Sequence, residues 1–86
     1  MVEKKVIVQN KTGLHARPAA LFVQKASQFS SDINLVKGEK EISAKSIMGV
    51  MSLAVGQGTE IIIKAEGDDA QQAIDALVEL IETMKD

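Results

Sequence analysis

The chain has 86 residues, 45% of them hydrophobic, which suits one small globular domain spanning 1–86 and argues against disorder. Ten basic residues stand against twelve acidic ones, and Trp and Tyr are absent, so direct nucleic-acid binding is not expected. Without cysteine and with a single histidine, disulfides and thiolate metal sites are excluded, and neither a metal centre nor a cofactor is expected.

Val2, Val6 and Val8 share a parity, which predicts a strand over residues 2–8 with that face inward. Met1-Val2-Glu3-Lys4-Lys5 has no signal-peptide core and no apolar run reaches membrane length, so a soluble cytoplasmic protein without membrane insertion is expected. Asn10 to Gly13 read as a loop. A helix then starts near Ala16 and runs to about Ser27, with Pro18 in its first turn, where a missing N–H is tolerated. Its buried stripe is Ala19, Phe22, Val23 and Ala26. Ser30 to Asp32 form a turn. Residues 33–37 and 40–43 form two strands joined by a tight hairpin at Gly38-Glu39, and their modest hydrophobicity suits an edge pair open on one face. Ser46 is a good N-cap for a brief helix carrying Ile47, Met48, Val50 and Met51 that ends by Gly56. Ile61, Ile63 and Ala65 alternate with Glu60, Ile62, Lys64 and Glu66 in a half-buried strand. The last helix is capped by Asp68 or Asp69, and Ala70, Ala73, Ile74, Leu77, Val78, Ile81 and Met84 form its apolar stripe. The order β-α-β-β-α-β-α implies an α+β open-faced two-layer sandwich, an antiparallel sheet with helices on one face.

Chemistry concentrates at one place. Thr12-Gly13-Leu14-His15-Ala16-Arg17-Pro18 holds the only histidine, the only arginine and the only proline. His15 falls at or beside the helix N-cap, where free N–H groups and the positive end of the dipole favour anions, phosphate above all. Arg17 can add a guanidinium whose fork matches phosphate oxygens. Residue types alone leave two readings: a histidine beside a helix start with a solvated arginine, or a phosphoryl-accepting imidazole with a charge-neutralising partner. Met48 and Met51 likewise read as core filler or as an adaptable docking surface.

Gly13-Leu14-His15-Ala16-Arg17-Pro18-Ala19 resembles the active-site signature of HPr, the histidine-containing phosphocarrier of the bacterial phosphoenolpyruvate:sugar phosphotransferase system. Ser46-Ile47-Met48-Gly49-Val50-Met51 resembles the second signature of that family in its Gram-positive form. The resemblance implies four strands and three helices. It implies that His15 accepts a phosphoryl group on Nδ1 from phosphorylated enzyme I and passes it to IIA domains of sugar transport complexes, with Arg17 assisting. On this reading the protein is a carrier rather than an enzyme with its own turnover. It also implies that Ser46 is a regulatory site, phosphorylated by an HPr kinase/phosphorylase, whose product serves a catabolite-control transcription factor as corepressor. Ala16, Ala20, Leu21, Ile47, Met48 and Met51 would form the partner-binding patch. The alternative is the catabolite-repression HPr-like paralogue, which acts through its phosphoserine and has glutamine in place of the histidine. Pro18 to Gln24 and Ala44-Lys45-Ser46 resemble that paralogue, whereas His15 departs from it. A small nucleic-acid-binding α/β domain is a third possibility, disfavoured by the acidic balance and the missing aromatics.

Overall fold

A computed structural model describes residues 1–84. Its elements are β1 (Val2–Ile7), α1 (Arg17–Ala26), β2 (Asp32–Lys37), β3 (Lys40–Ser43), α2 (Ile47–Ser52), β4 (Glu60–Glu66) and α3 (Ala70–Thr83). The four strands form one antiparallel sheet in the order β1-β4-β2-β3. This is the open-faced α+β sandwich anticipated from the patterning.

The alternation along the strands explains the layers. Val6 pairs with Ile61, Leu35 with Ile63 and Ile33 with Ala65, and these side chains are buried under the helices. The opposite face carries Glu3, Lys64, Asn34 and Ser43 in one cross-strand row. There Glu41 accepts a hydrogen bond from Asn34 at 2.8 Å and lies 3.5 Å from Lys64. The Asn34 hydrogen bond and then the Lys64 charge lower the Glu41 pKa. An antiparallel sheet with one packed and one wet face gives this pattern.

The hairpin of β2 and β3 lies at one margin of the sheet, as expected of an edge pair. Only β3 of the hairpin is an edge strand, because β2 pairs with β4 from Asp32 to Val36 as well as with β3. The polar residues of β2 mark the open face of the sheet. Phe22, Leu77, Ile81, Ile74 and Ala73 are buried between the helices and the sheet, and α1 packs on both α2 and α3. No described helix is long and apolar enough to cross a membrane.

The expected cap of α3 has the right residue but a different use. Asp69 occupies the N-cap position yet makes no side-chain cap. Its carboxylate instead accepts from the Ser30 N–H at 2.9 Å, the Ser31 N–H at 3.0 Å and the Ser31 hydroxyl. The start of α3 is thus fastened to the turn between α1 and β2. Those donors, the Ser31 hydroxyl first, lower the Asp69 pKa from 3.8 to about 2.

Candidate functional site

The backbone before His15 is pinned. The Asn10 side-chain amide donates to the Gly13 carbonyl at 2.8 Å, and the Gly13 N–H donates to the Asn10 carbonyl at 3.1 Å. The Leu14 N–H donates to the Val55 carbonyl at 2.9 Å, and the Leu14 side chain is buried. Gly13 has φ +63, and a Cβ there would overlap the Val55 carbonyl oxygen. Only glycine meets both demands without distortion. The loop before α1 is therefore held against the segment that follows α2.

His15 leaves this anchor exposed. The next residue, Ala16, is the N-cap of α1 with φ 49 and ψ −115, a left-handed setting that costs a non-glycine residue about 1–3 kcal/mol. Its carbonyl accepts from the Ala20 N–H at 3.0 Å, so the helix is already under way. Alanine has no side-chain acceptor, and no side chain caps α1. The first turn contains no acidic residue, and Pro18 lies within it. The positive end of a ten-residue helix is thus left for an external anion close to the imidazole in sequence. Arg17 is exposed and makes no ion pair among the described residues.

Ser46 caps α2 as its position predicts. Its hydroxyl accepts from the Gly49 N–H at 3.1 Å and its carbonyl from the Val50 N–H at 2.9 Å. Val50 points into the core, whereas Ile47 is 42% and Met48 78% exposed. On α1, Leu21 is 43% exposed and Ala20 half-buried. Ala16 is exposed, and Met51 is half-buried against the core. Because α1 packs on α2, the six patch residues belong to one pair of touching helices. Met51 combines both readings of the methionines, part core and part surface. A cleft of about 470 Å³ lies elsewhere, between β1 and α3, lined by Lys4, Ile7, Val78 and Glu82 among others, with neither His15 nor Ser46 in its wall.

Two features escape a motif search. The first is charge segregation. No acidic residue lies between Glu3 and Asp32, or between Glu41 and Glu60, the segments that carry α1 and α2. Lys11, Arg17, Lys25 and Lys45 lie there, while α3 carries Asp75, Glu79 and Glu82. A count of charges by segment, rather than over the whole chain, would have found it. The second is Lys37, whose ammonium donates to the Leu53 carbonyl at 2.8 Å and the Ala54 carbonyl at 3.0 Å, closing the C-terminal end of α2. No local signal announces a contact from β2 to that helix end.

Comparison with known proteins places these features. Residues 2–83 match the family model described as PTS HPr component phosphorylation site. The HPr-like protein Crh of Halalkalibacterium halodurans is 57% identical over 82 residues, covering 95% of this chain and 98% of that protein. The phosphocarrier protein HPr of Mycoplasma capricolum is 49% identical over 77 residues, covering 90% and 86%. The crystal structure of HPr-C-His from Thermoanaerobacter tengcongensis superposes with a TM-score of 0.95 at 60% identity, covering 96% of this chain and 93% of the other. With its signature stretch, its open-faced fold and these matches, the chain belongs to the HPr family of phosphocarrier proteins of the phosphotransferase system.

Proposed function

We propose that His15 carries a phosphoryl group from phosphorylated enzyme I to the IIA domains of sugar transport complexes. The imidazole Nδ1 bonds to phosphorus as the bond to the enzyme I donor breaks, and the same N–P bond breaks when a IIA acceptor attacks. The supporting observation is an exposed histidine next to the N-cap of a helix whose first turn holds neither a side-chain cap nor an acidic residue. Open N–H groups and the Arg17 guanidinium would neutralise charge on the moving group. A carrier must present this group to large partners, and the exposure of His15 suits that. The α1 and α2 segments, free of acidic residues and carrying Ala16, Ala20, Leu21, Ile47, Met48 and Met51, would dock partners whose own surface is acidic. Incubation with phosphoenolpyruvate and enzyme I, followed by acid, tests the reading. The account requires an acid-labile phosphate on His15, and an acid-stable product or none would oppose it.

Ser46 is proposed as a second, regulatory phosphorylation site, served by an HPr kinase/phosphorylase and read by a catabolite-control transcription factor. The hydroxyl already accepts a backbone N–H at the start of α2, so phosphate oxygens can take over that bond without unfolding the helix. The 57% identity to a protein named Crh favours a second reading, in which phospho-Ser46 signalling is the main role. His15 separates the two: the regulatory reading alone gives the imidazole nothing to do.

A further inference from the structure

We propose that Met48 is an oxidation site, and that its conversion to the sulfoxide weakens docking of the phosphoryl donor. The inference rests on the docking role proposed for α2. With no cysteine in the chain, its four methionines hold all the sulfur available to a mild oxidant. Exposure sorts them. Met1 and Met48 are each 78% exposed, whereas Met51 and Met84 are half-buried against the core. Of the two open thioethers, Met48 is the one flanked by the exposed Ile47 on the helix that carries Ser46.

A hydroperoxide can reach the Met48 sulfur without any opening of the structure. The thioether sulfur attacks the distal peroxide oxygen, the O–O bond breaks and an S–O bond forms. Sulfur is oxidised by two electrons and the peroxide is reduced to water or an alcohol. The fold tolerates the product because Met48 contributes little to the core. The Ser46 cap and the Lys37 clamp hold the two ends of α2 independently of Met48. The docking surface does not tolerate it equally. A flexible apolar side chain becomes a polar one. Burying its S–O group against an apolar partner surface then costs desolvation.

The test uses the purified protein and limiting hydrogen peroxide, which is removed by desalting before enzyme I is added. Peptide mass mapping should find the sulfoxide at Met48 and Met1 ahead of Met51 and Met84. Initial rates of phosphoryl acceptance should then show an apparent KM raised roughly tenfold, the scale set by losing burial of one apolar side chain, with an unchanged maximal rate. Methionine sulfoxide reductases should restore the original KM. Met48→Leu, compared with its own untreated form, should show no peroxide effect although Met1 is still oxidised. Oxidation of Met51 or Met84 no later than Met48, or an unchanged KM in protein carrying Met48 sulfoxide, would overturn the proposal. Met48→Asp tells the two failures apart. If it raises KM while the sulfoxide does not, oxidation does not weaken docking and the docking role stands. If it too leaves KM unchanged, the docking role falls and the oxidation proposal with it.

Discussion

Arg17 is the residue whose role and whose structural setting are easiest to separate. It is exposed and outside the ion pairs of the described residues. Arg17→Ala should therefore change stability by no more than about 0.5 kcal/mol. Removing a positive group from the proposed phosphoryl-transfer site should slow transfer by roughly 10²-fold. Thermal melts and single-turnover transfer from enzyme I, in both directions, check the pair of expectations. A wild-type rate would make Arg17 a bystander. Asp69 makes the opposite case, a structural one, bonded to the turn between α1 and β2. Its carboxylate titrates at about 2 in the folded chain against an ordinary 3.8, because the Ser31 hydroxyl and the Ser30 N–H stabilise the ionised form. The folded pKa is depressed, so the stability it contributes is fully present above 3.8 and is lost as pH falls through about 2. Asp69→Asn should melt earlier than wild type at pH 7, and the gap should close in acid. A gap of the same size at pH 2 would contradict the linkage. The Asp69 cap position was legible because acidic residues precede an apolar helical stripe. Its real partners are 38 and 39 positions away in sequence, and no local pattern encodes them.

Among the elements, the loop into α1 and the short helix α2 do most to define the site. Gly13 combines a left-handed backbone with contact against Val55, so Gly13→Ala should destabilise the fold by roughly 2–3 kcal/mol, from strain and overpacking together. Chemical denaturation reads this directly, and a loss below 0.5 kcal/mol would show that the loop relaxes freely. The helices were legible at their starts, from Pro18 and Ser46, because missing donors and capping hydroxyls are local chemistry. The strands were legible from their alternation. What stayed hidden was long-range, β4 inserted between β1 and β2 and Lys37 reaching the end of α2, together with one local feature, the positive φ of Ala16. Alanine carries no sequence sign of a left-handed backbone, so a strained N-cap there becomes visible only in three dimensions.

At the scale of the molecule, charge is sorted by segment although the net charge is only −2. The segments bearing α1 and α2 are free of acidic residues, and α3 carries several. A phosphate of roughly −2 charge at Ser46 would place a dianion in a segment free of acidic residues, beside Ile47 and Met48. Phosphorylation at Ser46 should therefore weaken enzyme I binding and slow acceptance at His15, with Ser46→Asp a fainter imitation. Exposed charges are screened over about 10 Å at 0.1 M salt, so the effect should shrink as salt rises. Enzyme I titrations of wild type, Ser46→Asp and phosphoprotein at two ionic strengths measure it, and unchanged affinity and rate would refute a shared docking surface. Ser46→Ala should lose about 1 kcal/mol of cap stability and still accept the phosphoryl group.

The central claim is that His15 is the phosphoryl acceptor, and intact mass spectrometry of wild type and His15→Ala after incubation with phosphoenolpyruvate and enzyme I tests it most directly. His15 is exposed and outside the core, so the variant should keep the wild-type melting behaviour. Wild type should gain the mass of one phosphoryl group and lose it in acid, while His15→Ala gains nothing. An acid-labile phosphate on the folded variant, or an unmodified wild-type chain beside a phosphorylated enzyme I, would contradict the account.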